Sequence, residues 1–440
     1  IIAIITMITS FADMLTDAGF QKYLVQHDFK DEKQKYLHAN IAFWTNLFIS
    51  CIILVIIIFF RNTIAKLVGN PELGNVIAIA SIQLLFTSFS SIQMALYRRD
   101  FNFKILFVVR IFAIFVPFFI NIPLALLGFG YWSIIIGTLL IQIFSAIFLT
   151  IKSKWKPSFK YDFNILREML SFSLWSLLEE TSIWATSWID VFILGSVLND
   201  YYLGIYRTSQ AMVNSIFGVI TSAIVPVLFS TLSRMKDSEE AFKKTYYEVQ
   251  RIVATFVFPM GIGMFIFRNF TTNIILGDQW RDASLLIGMW ALTSSWMIVF
   301  GYFCSEVYRA KGKPKLSFLA QILHLVFLIP IILVFEKKGF SDLVIARSLV
   351  RLEFILVHLI LMKFIFHFSV KKTFTNVSYS LLASAIIGII GFFLAKITNN
   401  IIINFAFIIF LSLLYFFILY LNPNSKQDLK NYYYKIKKNI

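Results

Sequence analysis

Three arginines stand inside long apolar stretches of this 440-residue chain: Arg110, Arg347 and Arg351. A charge in a membrane-length apolar segment is costly, so such residues ordinarily face a cavity or a partner rather than hydrocarbon. Arg347 and Arg351 are spaced i and i+4, which puts them on one face of a helix. A guanidinium is always charged and offers a planar fork of donors, so these groups suit a diphosphate or an acidic sugar. Arg110 lies about two turns, or ~9 Å, into its segment, and Arg351 is the deepest of the three. The plainer alternative is that each snorkels to the headgroups or pairs with an acid such as Glu353.

Glu179, Glu180 and Asp190 share one apolar segment with Trp175, Trp184 and Trp188. Acids beside indoles offer hydrogen bonds and stacking surfaces to a sugar. Alternatively the acids neutralise the arginines, Asp190 binds a coupling proton or sodium ion, and the tryptophans form an interfacial belt. His324 and His358, on separate segments, could relay protons because imidazole titrates near neutrality, or could be ordinary buried, hydrogen-bonded histidines. Glu306 and Arg309, near the end of their segment, could form a gate or an interfacial ion pair of little weight. Cys51 and Cys304 fall in apolar runs and read as small buried hydrophobes, not as a disulfide or metal ligands. No metal-ligand spacing, nucleophile elbow or phosphate loop occurs in a supporting context, so no enzyme, metal site or bound cofactor is expected.

The segments that must position these residues dominate the composition. The chain is 58% hydrophobic and 15% charged, with a mean hydropathy of +0.77. That is too little polar material to cover a soluble protein. Apolar segments run over 1–12 (partial), 39–60, 74–97, 104–127, 130–151, 170–198, 208–230, 249–267, 284–308, 316–335, 341–366, 376–397 and 400–421. A helix needs about twenty apolar residues to cross a bilayer. The segments are continuously apolar rather than alternating, which predicts spanning helices and not a β-barrel. Pro117, Pro123, Pro226, Pro259 and Pro330 interrupt spans and predict kinks.

The net charge of +16 does not indicate nucleic acid, since no loop is long enough for a recognition module. Lys and Arg collect instead in alternate loops. Loops 13–38, 98–104, 152–167, 231–251, 309–315, 367–375 and 422–440 hold 28 of them, while the other set holds 8. The first set is therefore expected in the cytoplasm, where it meets anionic lipid heads, and the C-terminus with it. Arg98, Arg99 and Lys104, and the cluster Arg309, Lys311, Lys313 and Lys315, read as inner-leaflet anchors.

Short matches recur at a nearly fixed offset. Phe60-Arg61-Asn62 matches Phe267-Arg268-Asn269, and Gly69-Asn70 matches Gly277-Asp278. At an offset of 211, Tyr97-Arg98 matches Tyr308-Arg309, Lys104 matches Lys315, and Gly128-Phe129 matches Gly339-Phe340. Matched sites fall on the same membrane side, so the repeats are parallel, a recurring transporter design. The expected fold is an all-α polytopic membrane bundle with two parallel pseudo-symmetric six-helix lobes plus a C-terminal helix pair. Its divisions are an N-terminal lobe over 1–151, a basic linker over 152–169, a second lobe over 170–375, the pair over 376–421 and a basic tail over 422–440. The offset predicts fourteen spans in full and thirteen in this chain, the first lobe lacking its first span.

Several stretches carry a family resemblance: Asp17-Ala-Gly-Phe20 with Leu24-Val25-Gln26, Ala95-Leu-Tyr-Arg98-Arg99-Asp-Phe-Asn-Phe103-Lys104, and Leu127-Gly-Phe-Gly130-Tyr-Trp132. Trp155-Lys-Pro157, Leu170-Ser-Phe172, and Ile189-Asp190 with Leu194-Gly195, Leu203-Gly204 and Tyr206 continue it. Through these the chain resembles the Wzx-like polysaccharide flippases of the MATE and MurJ-type superfamily; Asn199 departs from the usual Gly. The resemblance implies a multi-pass protein of the bacterial cytoplasmic (inner) membrane. Its cargo would be an oligosaccharide on a polyprenyl diphosphate carrier, turned from the inner to the outer leaflet by alternating access. Downstream polymerase and export proteins would be partners, and a proton or sodium gradient would be the energy source to test. Two rivals stand beside it. One is a MATE-like drug or cation exporter, which would favour acids over arginines in its cavity. The other is a membrane-embedded polysaccharide polymerase or ligase, against which the short outer loops count.

Overall fold

The computed structural model describes residues 2–17, 19–67, 71–195, 200–398 and 400–422. All regular structure among these residues is helical. In chain order the first helices are α1 (Ile2–Asp17), α2 (Phe20–Gln26), α3 (Glu32–Leu67), α4 (Gly74–Ala80), α5 (Gln83–Arg99), α6 (Phe103–Val116), α7 (Ile122–Leu126), α8 (Trp132–Lys152) and α9 (Phe163–Gly195). Then come α10 (Asp200–Arg234), α11 (Glu239–Ile266), α12 (Arg268–Leu276), α13 (Ser284–Met297), α14 (Cys304–Ala310) and α15 (Lys315–Phe335). The last are α16 (Phe340–Leu349), α17 (Arg351–Phe366), α18 (Val370–Thr375), α19 (Ser378–Leu394) and α20 (Ile401–Leu421). Among the described residues, nine helical stretches are long and apolar enough to cross a membrane. The expected segments outside those nine also fall on helices: 1–12 on α1, 170–198 on α9 as far as it is described, 341–366 on α16 and α17, and 376–397 on α19. The tail expected over 422–440 lies, beyond its first residue, outside the described residues.

The chain forms two compact units. The first comprises Ile1–Ala185, Phe229–Arg234 and Tyr308–Phe318. Its apolar core joins Ile5 and Ala12 of α1, Ile57 and Ala65 of α3, Ile77 and Leu84 of α4 and α5, and Ile135 of α8. The second comprises Thr186–Leu228, Met235–Val307 and Leu319–Ile440. There Phe267 packs with Ala383 and Ile387 of α19 and with Leu411, Tyr415 and Leu419 of α20. Outward faces are as apolar as the interior: Phe59 is 80% exposed, Leu126 83% and Ile402 79%. In hydrocarbon such faces carry no penalty. Cys51 belongs to this class. It faces outward, not inward as its apolar run implied, while Cys304 is buried as expected. A helix apolar on every side leaves no polar stripe from which to read its inner face.

Several spans are broken where backbone chemistry breaks them. Pro117 opens a π-helical turn, Pro117–Asn121, between α6 and α7, because proline lacks the N–H that would continue the ladder. A second π turn, Ile298–Tyr302, separates α13 from α14, and Val350 interrupts the ladder between α16 and α17.

Two turns of the first unit repeat one another 211 residues apart. After Tyr97-Arg98, the Asn102 N–H reaches the Tyr97 carbonyl at 2.9 Å and the Phe101 N–H reaches Arg98 at 3.2 Å. After Tyr308-Arg309, Lys313 reaches Tyr308 at 2.8 Å and Gly312 reaches Arg309 at 2.9 Å. Both are the paired closure that ends a helix on a left-handed residue, here Phe101 (φ 56°) and Gly312 (φ 69°). One glycine is required twice over: Gly19 has φ +76°, and a Cβ there would sit 2.7 Å from the Ser173 carbonyl oxygen of α9. It lets the α1–α2 turn approach α9.

Candidate functional site

In the second unit, α16 ends and α17 begins around a pair of guanidinium groups. Arg347 and Arg351 both lie over the indole of Trp290 on α13, with Cζ 5.0 and 4.2 Å from its centroid. The i, i+4 spacing thus keeps both on one face across the Val350 interruption. Trp290 is itself held, its Nε1–H donating to Asn214 Oδ1 at 3.1 Å. Arg351 donates to Ser294 Oγ at 2.7 Å and to the Trp290 carbonyl at 3.5 Å. Only neutral groups make these contacts, and a desolvated cation over an indole is worth about 2 kcal/mol. Arg347 is 4% exposed. Glu353 Oε2 lies 3.1 Å from His324 Nδ1. Phe354 packs between the two expected histidines, 5.1 Å from the His324 ring and 4.3 Å from that of His358.

The same unit holds an apolar cavity of about 450 Å³, lined by Pro259, Met260 and Met264 of α11, Ile387 of α19, and Leu411 and Phe416 of α20. Gly263 also lines it and has nothing within 4 Å of where a Cβ would stand.

In the first unit the deepest charge is Glu179, fully buried on α9. Arg309 of α14 donates to its Oε1 at 2.5 Å, and Lys22 of α2 lies 3.6 Å from its Oε2 and 2.8 Å from Glu180. Burial pulls the Lys22 ammonium down, but Glu180 and Glu179 outweigh it and hold the group above its ordinary value. Arg309 thus engages an acid 130 residues away, and Glu306 is buried. Arg99, expected to anchor lipid, instead donates to the carbonyls of Leu24, Val25 and His27 and closes the end of α2. Arg98 donates to Gln21 at 3.1 Å.

The tryptophans of α9 each meet a different partner. Trp184 packs 4.9 Å from Phe11, Trp175 lies 5.9 Å from Phe318, and Trp188 lies under Arg207 at 4.2 Å. Arg110 is exposed on α6 among outward-facing Phe107 and Ile111. The Asp190 side chain lies outside the described residues.

One acid escaped the sequence reading. Asp13 was expected in a loop, but α1 continues to Asp17 and places it inside the helix. Its carboxylate accepts from Thr87 Oγ1 at 2.9 Å and Gln83 Nε2 at 3.2 Å. It borders a cavity of about 250 Å³ in which Thr6, Thr9, Ser10, Thr138 and Gln142 stand beside Ile5, Ala80, Ile134 and Ile135. The signal available was the spacing of Thr6, Thr9 and Asp13, which marks a polar helix face.

The fold is similar to that of solved flippases and transporters. Over 96% of its length the chain is similar to the lipid II flippase MurJ in an inward closed conformation, with a TM-score of 0.68, 16% identity and 91% of that chain covered. A MATE protein in its straight conformation gives a TM-score of 0.64 at 12% identity, with 86% of each chain covered. The model of the family described as polysaccharide biosynthesis protein matches residues 1–285, and this chain belongs to that family. It is 24% identical over 294 residues to the succinoglycan biosynthesis transport protein ExoT of Rhizobium meliloti (strain 1021), covering 66% of this chain and 58% of that protein. It is 21% identical over 323 residues to the teichuronic acid biosynthesis protein TuaB of Bacillus subtilis (strain 168), covering 70% and 64%. The matches thus span about three fifths of these curated relatives' length.

Proposed function

We propose that this chain flips polyprenyl-diphosphate-linked oligosaccharide units from the inner to the outer leaflet of a bacterial cytoplasmic membrane, for export of surface polysaccharide. The observation that carries the reading is the pair Arg347 and Arg351 stacked on one indole. Two fixed cations with forked donors match the two phosphates of the carrier. The Arg351 contacts to Ser294 and Trp290 involve neutral groups, which do not cancel its charge toward a ligand. The apolar cavity beside α19 and α20 offers the polyprenyl chain a surface of its own polarity. Transport proceeds by alternating access; Arg110, on the outward face of α6, and Glu179, held by Arg309 and Lys22, have no assigned part in binding the glycan.

The test is complementation of a flippase-deficient strain supplied with defined sugar repeat units. Arg351→Ala or Arg347→Ala should lower export at least tenfold while the protein stays in the membrane. Normal export by both variants would remove the pair from the mechanism.

A second reading, an ion-coupled exporter of cations, draws support from the carboxylate-lined cavity at Asp13. Drug efflux that requires Asp13 but not Arg351, in a strain where no lipid-linked glycan is exported, would favour it. In the flippase reading Asp13 is a coupling site for a proton or sodium ion, and Asp13→Asn slows glycan export instead.

A further inference from the structure

Away from both sites, the end of α2, the start of α3 and the first turns of α9 bring together His27, His38 and Glu168. One donor atom from each lies within 4.8 Å of the others. His27 Nε2 and Glu168 Oε1 are 3.7 Å apart. A tetrahedral zinc ion with bonds near 2.0–2.1 Å sets its ligands about 3.3 Å apart, so small side-chain adjustments close the set.

His38 distinguishes this cluster from an ordinary ion pair. It is 1% exposed, and its Nδ1 lies 2.9 Å from the Gln34 carbonyl oxygen. A carbonyl only accepts, so Nδ1 carries the hydrogen, and in the neutral ring Nε2 is then the nitrogen with the free lone pair. That Nε2 is buried and has no hydrogen-bond partner. A buried acceptor left unmatched is uncommon. An imidazole with one nitrogen on a backbone carbonyl and the other bare has the form in which proteins present histidine to a metal.

The remaining groups support the same use. Tyr23 Oη donates to Glu168 Oε1 at 3.2 Å and orients the carboxylate. The His27 ring stacks on Tyr23 at 4.7 Å and lies 5.6 Å from the His38 ring, 23° from parallel. The nearby cation, Arg99, directs its donors to the main-chain carbonyls of Leu24, Val25 and His27 and its guanidinium over Phe29.

We propose that His27, His38 and Glu168 form a binding site for a divalent transition metal of the zinc class, with two imidazoles, one carboxylate and an open fourth position. The bound ion ties the α2–α3 turn to α9. No spacing motif announced the site, because its ligands stand at positions 27, 38 and 168.

The experiment uses the full chain, purified in detergent with its affinity tag removed, stripped of metal and then equilibrated with zinc chloride. Bound zinc is measured after gel filtration, and cobalt(II) replaces zinc to report coordination through its visible spectrum. Wild type should hold one zinc per chain and give the intense bands of a four-coordinate cobalt site. His27→Gln and Glu168→Gln should each weaken binding at least tenfold. Glu168 is 56% exposed, so its substitution leaves the fold intact. His38→Ala should abolish binding, and gel filtration shows whether that variant is folded; the other two variants decide the matter if it is not. A His324→Gln/His358→Gln protein should bind as wild type does. Negligible zinc on wild type, unchanged binding in His27→Gln and Glu168→Gln, or loss of zinc only in the His324/His358 variant would each overturn the proposal.

Discussion

The two compact units bury charge in different ways. In the first, Glu179 meets Arg309 and Lys22, and Lys22 also meets Glu180, so opposite charges are matched at contact distance. In the second, Arg351 rests against an indole, a hydroxyl and a carbonyl, with Arg347 over the same indole. A buried pair whose charges cancel has little field left for a ligand and acts as a tie between elements. A buried cation held by neutral groups keeps its attraction for an anion, at the cost of incomplete solvation. The first arrangement is suited to holding helices together, and the second to receiving an anionic cargo.

The comparison can be broken most sharply at Arg309. Arg309→Met leaves Glu179 buried with only Lys22 at 3.6 Å, and should cost about 3–5 kcal/mol of stability in thermal or denaturant unfolding. Glu179→Gln combined with Arg309→Met should restore most of that loss, since no uncompensated charge remains. If the single variant unfolds like wild type, the cluster is not a structural tie. Lys22 adds no pH dependence near neutrality. Its folded value is raised, so its contribution is complete below the ordinary 10.5 and is lost only as pH rises through the raised value.

Arg351→Ala should show the opposite balance. It gives up a cation–π contact of about 2 kcal/mol yet abolishes most export, whereas Arg351→Lys keeps the charge without the fork and should be intermediate. Equal export by Arg351→Lys and wild type would reduce the role to a point charge. Gly263→Leu projects a side chain into the apolar cavity without meeting an atom within 4 Å of its Cβ. It should slow transport several-fold with unfolding shifted by under about 1 kcal/mol, and unaltered transport would separate that cavity from the cargo path. The smallest effect belongs to the surface: Lys243 pairs with Glu239 one turn away on α11. Lys243→Ala should change stability by less than about 0.5 kcal/mol, a baseline for the buried pairs.

Much of the helical framework was legible because a spanning segment announces itself by its own length and apolarity. Helices occur at each expected segment, and the interruption at Pro117 follows from its missing N–H. The shared face of Arg347 and Arg351 was equally legible, since i and i+4 positions coincide on any helix. Cys51 and Asp13 were not. One stands on a helix apolar all round, and the other was a lone carboxylate just past an apolar run that the helix continues beyond.

The amino-acid sequence by itself determined the helices, the membrane environment and the family, because in lipid each backbone polar group must be satisfied within its own segment. Only the tertiary structure decided which charge meets which. It joined Glu179 to Arg309 and Lys22, put Trp290 beneath two arginines, and drew His27 and His38 to Glu168. Those partners lie on separate helices, and uniformly apolar segments carry no local signal for the neighbour that a polar side chain will find.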